Sequence, residues 1–274
     1  MTSQPLNLQT VGLPSISEPD AAATASPARG KAMVAALHKR LRPTYPLVHQ
    51  WEFWHDRQDR KHSPAPDGGQ PKDADSAYEQ RLVKLLDISD VKHFWELHNN
   101  FDVKSMLKLR DSVHLFKKGV KPLWEDPRNV HGGAWTFRVP KDQAPEFWMH
   151  ICLLAIGERL QEAVIDPGRT KFLDDICGVS YSVRFNSMLI TVWNRDGDHE
   201  AGKQRILETV LREVPEHLIP KRSDLYYYKK HSSHAGFTAP VAKDVAAQDK
   251  VDEQVSKEAV PAITEPEATE QQMA

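Results

Sequence analysis

Alternating apolar and polar residues predict short strands through the middle of the chain. Between residues 134 and 139 every second side chain is apolar, which is the period of a strand buried on one face. Residues 90–99, 142–160 and 200–213 instead carry the 3.6-residue period of helices. These segments follow one another without a βαβ repeat. We therefore predict an α+β fold, an antiparallel sheet of about eight strands with three helices packed on one face.

Two local signals support the predicted helix starts. Asp90 is a residue type that caps the first turn of a helix, directly before an apolar-periodic segment. Pro145 falls in the first turn of the second predicted helix, where a missing N–H is tolerated.

The run from residue 179 to 193 predicts a hairpin. Two alternating segments flank Asn186-Ser187, which we interpret as a two-residue loop. With that loop Arg184 lies opposite Leu189 and shares a sheet face with Trp193. Serines occupy the same face, so it is predicted to be wet and functional, opposite an apolar one.

The aromatic residues define the extent of the folded domain. All 22 Phe, Trp and Tyr residues lie between Tyr45 and Phe237. We predict one domain over 45–237, between a proline-rich disordered extension (1–44) and an acidic disordered tail (238–274). The polar segment 57–77 is predicted to be a long loop inside the domain.

Composition excludes several classes of protein. Cys152 and Cys177 lie in apolar runs without metal-ligand spacing, which argues against a disulfide scaffold and a zinc module. No apolar run is long enough to span a membrane. The net charge of −2 excludes a global basic field, so any nucleic-acid binding must be local. We expect a cytoplasmic monomer that needs no metal or cofactor.

The segment Trp124-Glu125-Asp126-Pro127 carries the clearest chemical signal. Its polar, proline-ended character predicts that Trp124 is exposed at a loop tip, where an indole offers its face to a planar ligand. Glu125 beside it is suited to accept two parallel hydrogen bonds from the N–H and NH2 of a guanine edge. A guanine methylated at N7 is cationic, and aromatic faces against it each add a cation–π term of roughly 0.5 to 2 kcal/mol.

Over about residues 45–231, the chain resembles the eukaryotic translation initiation factor 4E family of mRNA cap-binding proteins. The resemblance rests on tryptophans and their neighbours in one order and spacing. The matching segments are Tyr45-Pro46-Leu47 before Trp51 and Trp54, Val91-x-x-Phe94-Trp95, Leu115-Phe116-Lys117-x-Gly119-Val120-x-Pro122-Leu123-Trp124-Glu125-Asp126, Gly132-Gly133-x-Trp135, Phe147-Trp148, Ile156-Gly157-Glu158, Ile176-Cys177-Gly178, Val183-Arg184 and Val192-Trp193.

The resemblance implies a curved antiparallel sheet with three helices on its convex face, and a role for each site residue. Trp124 becomes a stacking platform, and Glu125 binds the guanine edge. Trp193 lies against the N7 methyl group and Arg184 holds the phosphates. Lys229 and Lys230 are expected to add charge beside the second nucleotide.

Departures from the family pattern point to its class II branch, whose members often repress or selectively drive translation. Tyr78 aligns with the tryptophan that forms the second stacking platform in the main branch. Asn186 and Leu189 replace lysines and Ala134 replaces a basic residue, so cap binding is expected to be weaker. We hypothesise that Arg128 supplies a phosphate contact in compensation; a solvated surface arginine is the alternative.

A second site is predicted on the helices, which carry more apolar stripes than one core needs. Val91 and Trp95 form one surplus stripe, and Met149, Leu153 and Gly157 form another. In the family this surface, with Tyr45, Pro46 and Leu47, accepts a helical Tyr-x-x-x-x-Leu-hydrophobic motif from initiation scaffold factor 4G or from binding proteins. His150 replaces a glutamate of the main branch, which leaves the partner's identity open.

Three functions follow from these residues. The first is a cap-binding protein that docks a scaffold or repressor partner to initiate or regulate translation. The second is a scaffold-binding repressor with weak or no cap binding. The third is a cap-processing enzyme using Glu125, Asp126 and His131, which the lack of ligand spacing and of an activated nucleophile disfavours. We predict that the chain is not an enzyme.

Overall fold

The computed structural model of the chain describes residues 45–58, 81–169 and 172–238, together with Lys31. The chain divides into two compact units, Met1–Tyr45 and Pro46–Ala274, and the fold below belongs to the second. The predictions for residues 1–44, the loop after residue 58, Tyr78 and the acidic tail from residue 239 lie outside the described residues. Within the described part of the chain, no helix is long and apolar enough to cross a membrane.

The described residues form one seven-stranded antiparallel sheet. The strands are β1 (Pro46–Asp56), β2 (Leu82–Asp90), β3 (Ser112–Lys117), β4 (Gly133–Val139), β5 (Ile176–Val183), β6 (Met188–Asn194) and β7 (Tyr226–Lys230). Their order across the sheet is β2-β1-β3-β5-β6-β4-β7. The predicted strand at residues 134–139 and the antiparallel sheet are confirmed.

In the described part of the chain, five α-helices connect or follow the strands. They are α1 (Val91–Asn100), α2 (Val103–Met106), α3 (Ala144–Ile156), α4 (Arg159–Val164) and α5 (Glu200–Glu213). Single 3-10 turns lie at Glu216–Leu218, Ser223–Leu225 and His231–Ser233. Asp90 caps α1 as predicted, since its Oδ1 accepts the backbone N–H of His93 at 2.9 Å.

The predicted single helix over 142–160 is wrong, because the chain breaks between α3 and α4. Glu158 adopts the left-handed conformation with φ of 61°, which no α-helix can continue. The preceding residue is Gly157, where a Cβ atom would lie 2.8 Å from the carbonyl oxygen of Leu153. The backbone therefore turns tightly where only a glycine fits.

The main core lies between the helices and one face of the sheet, which we call the helix side. Phe147 and Ile151 of α3 and Ile206 of α5 are fully buried there against strand residues such as Phe137. The opposite face of the sheet, which we call the open face, carries a smaller cluster. Its buried members, Phe116, Val120, Ala134, Cys177 and Trp193, come from strands and the loop after β3, with Trp54 and Trp124 packed against them.

The predicted two-residue hairpin loop is also wrong, although its consequence for the sheet faces holds. Val183 pairs with Met188 and Ser182 with Leu189, so the loop has four residues and Arg184 lies in it. Asn-Ser contains no glycine for the left-handed positions of a tight hairpin turn, and the chain takes a longer loop. The register differs by two residues from the prediction, and a shift of two leaves every side chain on its predicted face.

Candidate functional site

The open face is organised in three cross-strand rows. Because alternate residues of a strand point to the same face, the antiparallel register places side chains of neighbouring strands side by side. The first row contains Ala134, Trp193, Gly178 and Phe116; the second contains Thr136, Thr191, Ser180 and His114; the third contains Arg138, Leu189, Ser182 and Ser112. The face predicted to be wet carries Trp193, Ser180 and Ser182 as predicted, and His114 and Arg138 as well.

Trp193 forms a fixed wall in the first row. Its ring stands edge-on to Phe116 with centroids 5.2 Å apart, and its Nε1 donates to Thr191 Oγ1 at 3.2 Å. Only 7% of the residue is exposed. Trp193 is therefore held in place and leaves little of its surface open to a ligand.

Polar side chains hold the loop that carries Trp124 and Glu125. The Asp126 carboxylate accepts the backbone N–H groups of Lys121 at 3.0 Å and of Arg128 at 2.9 Å. Asn129 is fully buried and donates to the carbonyl groups of Lys121 and Leu123. Burial raises the pKa of Asp126 above its usual value. The loop is thus fixed at both ends, and Trp124 and Glu125 are held between them.

Trp124 is half-buried, whereas the sequence predicted that it would be exposed at a loop tip. Its indole packs against the open-face cluster, and the imidazole of His234 stacks on it with centroids 4.1 Å apart and planes 18° apart. Glu125 is half-buried as well. The polar sequence around Trp124 gave no sign of the stack, because His234 comes from a distant part of the chain.

Sequence reasoning missed His231 and His234, which join the two tryptophans into a row of rings. His231 lies 4.5 Å from Trp193, and the two imidazoles stack at 6.4 Å. Burial lowers the pKa of His231 to about 3 and that of His234 to about 4, so both rings are neutral at pH 7. Their spacing of three residues across a 3-10 turn, which aligns side chains, was the available signal.

Arg184 lies in the hairpin loop, directly after the last paired residue of β5. Its Nη1 donates to the carbonyl oxygen of Val183 at 2.9 Å. Its charge also acts on His114 in the second row, whose pKa falls to about 3 through burial first, then His55 and Arg184. His114 meets Ser180 there, with Nδ1 and Oγ 2.7 Å apart. The charge of Arg184 therefore acts on the open face that carries Trp193, and the placement of both side chains on one face stays a prediction.

The two predicted lysines of β7 lie on different faces of the sheet. Lys229 pairs with Ala134 and so shares the open face with the first row. Lys230 pairs with Gly133 on the other face, where its Nζ contacts the Asp198 carboxylate. Only Lys229 is placed beside the tryptophans.

Arg128 is held by Asp174, which bears on its predicted phosphate contact. Its Nη2 lies 2.7 Å from Asp174 Oδ2, and Lys117 contacts the same carboxylate. Burial alone would raise the pKa of Asp174, but the two cations hold it at about 2. A phosphate contact by Arg128 would therefore have to compete with this carboxylate.

The predicted partner surface is exposed on the helices. In α1, Phe94 enters the core, while Trp95 of the predicted surplus stripe remains 37% exposed. Val91, Met149 and Leu153 are half-buried, and Gly157, Pro46 and Tyr45 are exposed, with Leu47 packed against the core. A cavity of about 320 Å³ opens beside Met149, between α1 and α3.

Residues 46–244 match the family model described as "Eukaryotic initiation factor 4E", and the chain belongs to this family. A similar relative is "Eukaryotic translation initiation factor NCBP" from Oryza sativa subsp. japonica, 31% identical over 222 residues, 81% of this chain and 83% of that protein. Among solved structures, the complex of Ascaris suum eIF4E-3 with m7G cap has a TM-score of 0.54 and 25% identity, covering 70% of this chain and 94% of that one. The complex of C. elegans eIF4E-3 with the 4E-binding protein Mextli and cap analog has a TM-score of 0.55 and 24% identity, covering 69% and 94%.

These similarities confirm the predicted family and the α+β fold. Similarity to NCBP proteins agrees with the class II branch. Members of the family are translation factors, which confirms the prediction of a binding protein rather than an enzyme.

Proposed function

We propose that this protein binds the 7-methylguanosine cap of mRNA on the open face of its sheet and docks a helical partner on α1 and α3, and so initiates or regulates translation in the cytoplasm. One observation carries the first half. Trp124 and Glu125 sit on a loop fixed by Asp126 and Asn129, beside the wall formed by Trp193. The solved Ascaris suum relative with m7G cap supports the same ligand.

The geometry suits a cationic purine. A methylated guanine stacks on Trp124, Glu125 accepts the guanine N–H and NH2, and Trp193 meets the methyl group. Aromatic faces stabilise the positive charge. Neutral His231 and His234 add no repulsion at pH 7, because their pKa values are about 3 and about 4. His234 covers one face of Trp124, so the base takes the other face or displaces the imidazole.

The methylated guanine needs a second aromatic platform, and its phosphates need cations. We assign Tyr78 as the second platform by its alignment with the family. Lys229 shares the open face with the tryptophans, the charge of Arg184 acts on that face, and both are assigned to the phosphates. Lys230 is directed to Asp198 on the other face, and we leave it out of the site.

The partner half of the proposal rests on exposed apolar groups of the helices. Trp95 is a large aromatic side chain left outside the core, and large aromatics dominate the binding energy of interfaces. Met149 and Leu153 of α3 extend the surface. A helix with hydrophobic residues at i, i+5 and i+6, as in the Tyr-x-x-x-x-Leu-hydrophobic motif, fits such a surface by helix-in-groove recognition.

Retention on immobilised 7-methyl-GTP tests cap binding. The wild-type chain should elute with 7-methyl-GTP and not with GTP, and Glu125→Gln should weaken binding about 30-fold, since a hydrogen bond to a charged group contributes roughly 1.5 to 3 kcal/mol. Glu208→Gln, the same change at an exposed glutamate of α5, is the control. Equal elution by GTP, or equal retention of Glu125→Gln, would contradict the proposal.

A second candidate is a repressor that binds the scaffold partner and has little affinity for cap. Ala134 and Leu189 favour it, because both place apolar groups on the open face where a phosphate chain needs cations. This reading predicts weak retention of the wild type on 7-methyl-GTP together with tight binding of a Tyr-x-x-x-x-Leu-hydrophobic peptide.

A further inference from the structure

Arg138 is a cation of the open face that lies outside the cluster formed by Trp124, Glu125 and Trp193. It lies in the third row, directly opposite Leu189 across the β4–β6 pair. Its side chain is exposed, and its guanidinium carbon lies 5.5 Å from the centroid of the Tyr227 ring. Tyr227 pairs with Thr136 and belongs to the same face. The ring therefore supports the guanidinium by a cation–π contact.

The guanidinium is available to an anion. Within the described residues, no hydrogen bond or ion pair joins Arg138 to a carboxylate, unlike Arg128 with Asp174. The acidic group that feels its charge is Asp224, whose carboxylate is already bound by Arg222. Arg138, Arg222 and Asp224 are thus two cations and one carboxylate, which leaves one positive charge among the three.

The position of Arg138 matches the path of a phosphate chain. Arg138 lies four residues along β4 from Ala134, which is about 13 Å in a strand. Arg184 lies at the same end of the sheet, in the loop after Val183. A nucleotide whose base lies against Trp193 in the first row, and whose phosphates extend towards Arg184, passes the third row.

We infer that Arg138, held by the Tyr227 ring, contacts the phosphate chain that follows the methylated guanosine. This inference rests on the proposed cap binding and adds a phosphate contact to it. Arg138 supplies the charge at the place where Leu189 supplies none. Tyr227 acts as a positioning residue, because it orients the guanidinium and does not itself bind phosphate.

A ligand series isolates the phosphate contact. The affinities of the full chain and of Arg138→Gln are measured for 7-methylguanosine, its 5′-monophosphate, 7-methyl-GTP and a capped dinucleotide, at two salt concentrations. Arg138→Gln should bind 7-methyl-GTP and the capped dinucleotide about fivefold more weakly, as expected for one exposed ion pair. Its affinity for the nucleoside should stay unchanged, and its salt dependence should decrease. Arg212→Gln, at an exposed arginine of α5, is the matched control.

The outcomes separate this inference from the proposed function. An equal loss for the nucleoside and the triphosphate, or no loss with either, would overturn the role of Arg138. If the wild-type chain does not distinguish methylated from unmethylated guanosine, the proposed cap binding itself fails.

Substitution of Tyr227 tests the positioning role. Tyr227→Phe keeps the ring and should leave every affinity unchanged, whereas Tyr227→Ala should lower affinity for the triphosphate alone, by about half of the Arg138→Gln effect on a logarithmic scale. A loss in Tyr227→Phe equal to that in Tyr227→Ala would show that the hydroxyl group acts directly, against the inference.

Discussion

The two faces of the sheet are built from the same strands and differ in chemistry. On the helix side, Phe137, Val179 and Ile190 are buried under helices. One residue along each strand, the open face carries Thr136, Ser180 and Thr191. Ser180 and His114 are as deeply buried as many core residues, although polar. Burial alone therefore does not distinguish a stabilising face from a binding face, whereas the polarity of the buried groups does.

The largest expected effect is on the helix side. Phe147 is fully buried against Phe137, with ring centroids 5.6 Å apart, so Phe147→Ala leaves a cavity. The free energy of unfolding in urea should fall by about 3 to 5 kcal/mol. Leu189 on the open face is half-buried, so Leu189→Ala should lower the free energy of unfolding by less than about 1 kcal/mol. Equal losses would mean that the open face is also a stabilising core.

Substitutions on opposite sides of the sheet should affect different partners. Trp95→Ala should weaken binding of a Tyr-x-x-x-x-Leu-hydrophobic peptide by about 2 kcal/mol or more, as for an aromatic residue at the centre of an interface. Retention on 7-methyl-GTP should not change. Calorimetry with the peptide measures this, and Glu96→Ala, the next exposed residue of α1, is the control. If Trp95→Ala reduces cap retention, the two sites are not independent.

Stability should fall in mild acid because of the histidines near the open face. His114 and His231 have a pKa of about 3 in the folded chain, caused mainly by burial, against about 6.5 when unfolded. Below pH 6.5 the unfolded state binds protons that the folded state does not, so the free energy of unfolding falls as pH falls. From pH 7.5 to 5.5 each of these two histidines should lower the free energy of unfolding by about 1.4 kcal/mol, and His234, whose pKa burial lowers to about 4, should add a similar loss.

His114→Asn tests the source of this pH dependence. Asparagine still has a group that can bond Ser180 but does not titrate, so the acid-induced loss should shrink by the share of one histidine, about 1.4 kcal/mol. Urea unfolding at both pH values gives the comparison. An unchanged loss in His114→Asn would assign it to other residues.

The smallest expected effect is at the rim of the partner surface. His150 is half-buried on α3, and His150→Glu adds a negative charge there. Rim charges alter association rate and salt dependence more than affinity, and a peptide of net positive charge should gain about two- to threefold. Stopped-flow association with peptides of opposite charge measures the change. Equal effects on both peptides would place His150 outside the interface.

Periodic features were predictable from the sequence, and contacts between distant segments were not. Helix α5, the Asp90 cap and the faces of β4 to β6 followed from local pattern. The break at Glu158 depends on one backbone angle within an apolar run that remains periodic across it. The stack of His234 on Trp124 joins residues far apart in the chain, and periodicity carries no information on it.

Arg128 and Arg138 also show that the local sequence does not specify contacts between distant segments. Both lie in the basic stretch from residue 101 to 141, and proximity to Glu125 favoured Arg128. Folding places Asp174 beside Arg128 and Leu189 beside Arg138. Which arginine faces an anion is decided by strand pairing and a distant carboxylate, which the local sequence does not specify.

The four-residue loop after β5 has an evolutionary consequence. Insertion or deletion of residues in pairs at this turn slides the register by an even number and leaves the two faces intact, as the predicted and observed loops illustrate. Insertion or deletion of one residue within a paired strand would exchange its two faces. In β5 and β6 this would turn Ser180, Ser182 and Thr191 into the core. Descendants of this sequence should therefore vary in the length of this turn while Thr191 and Trp193 keep their orientation.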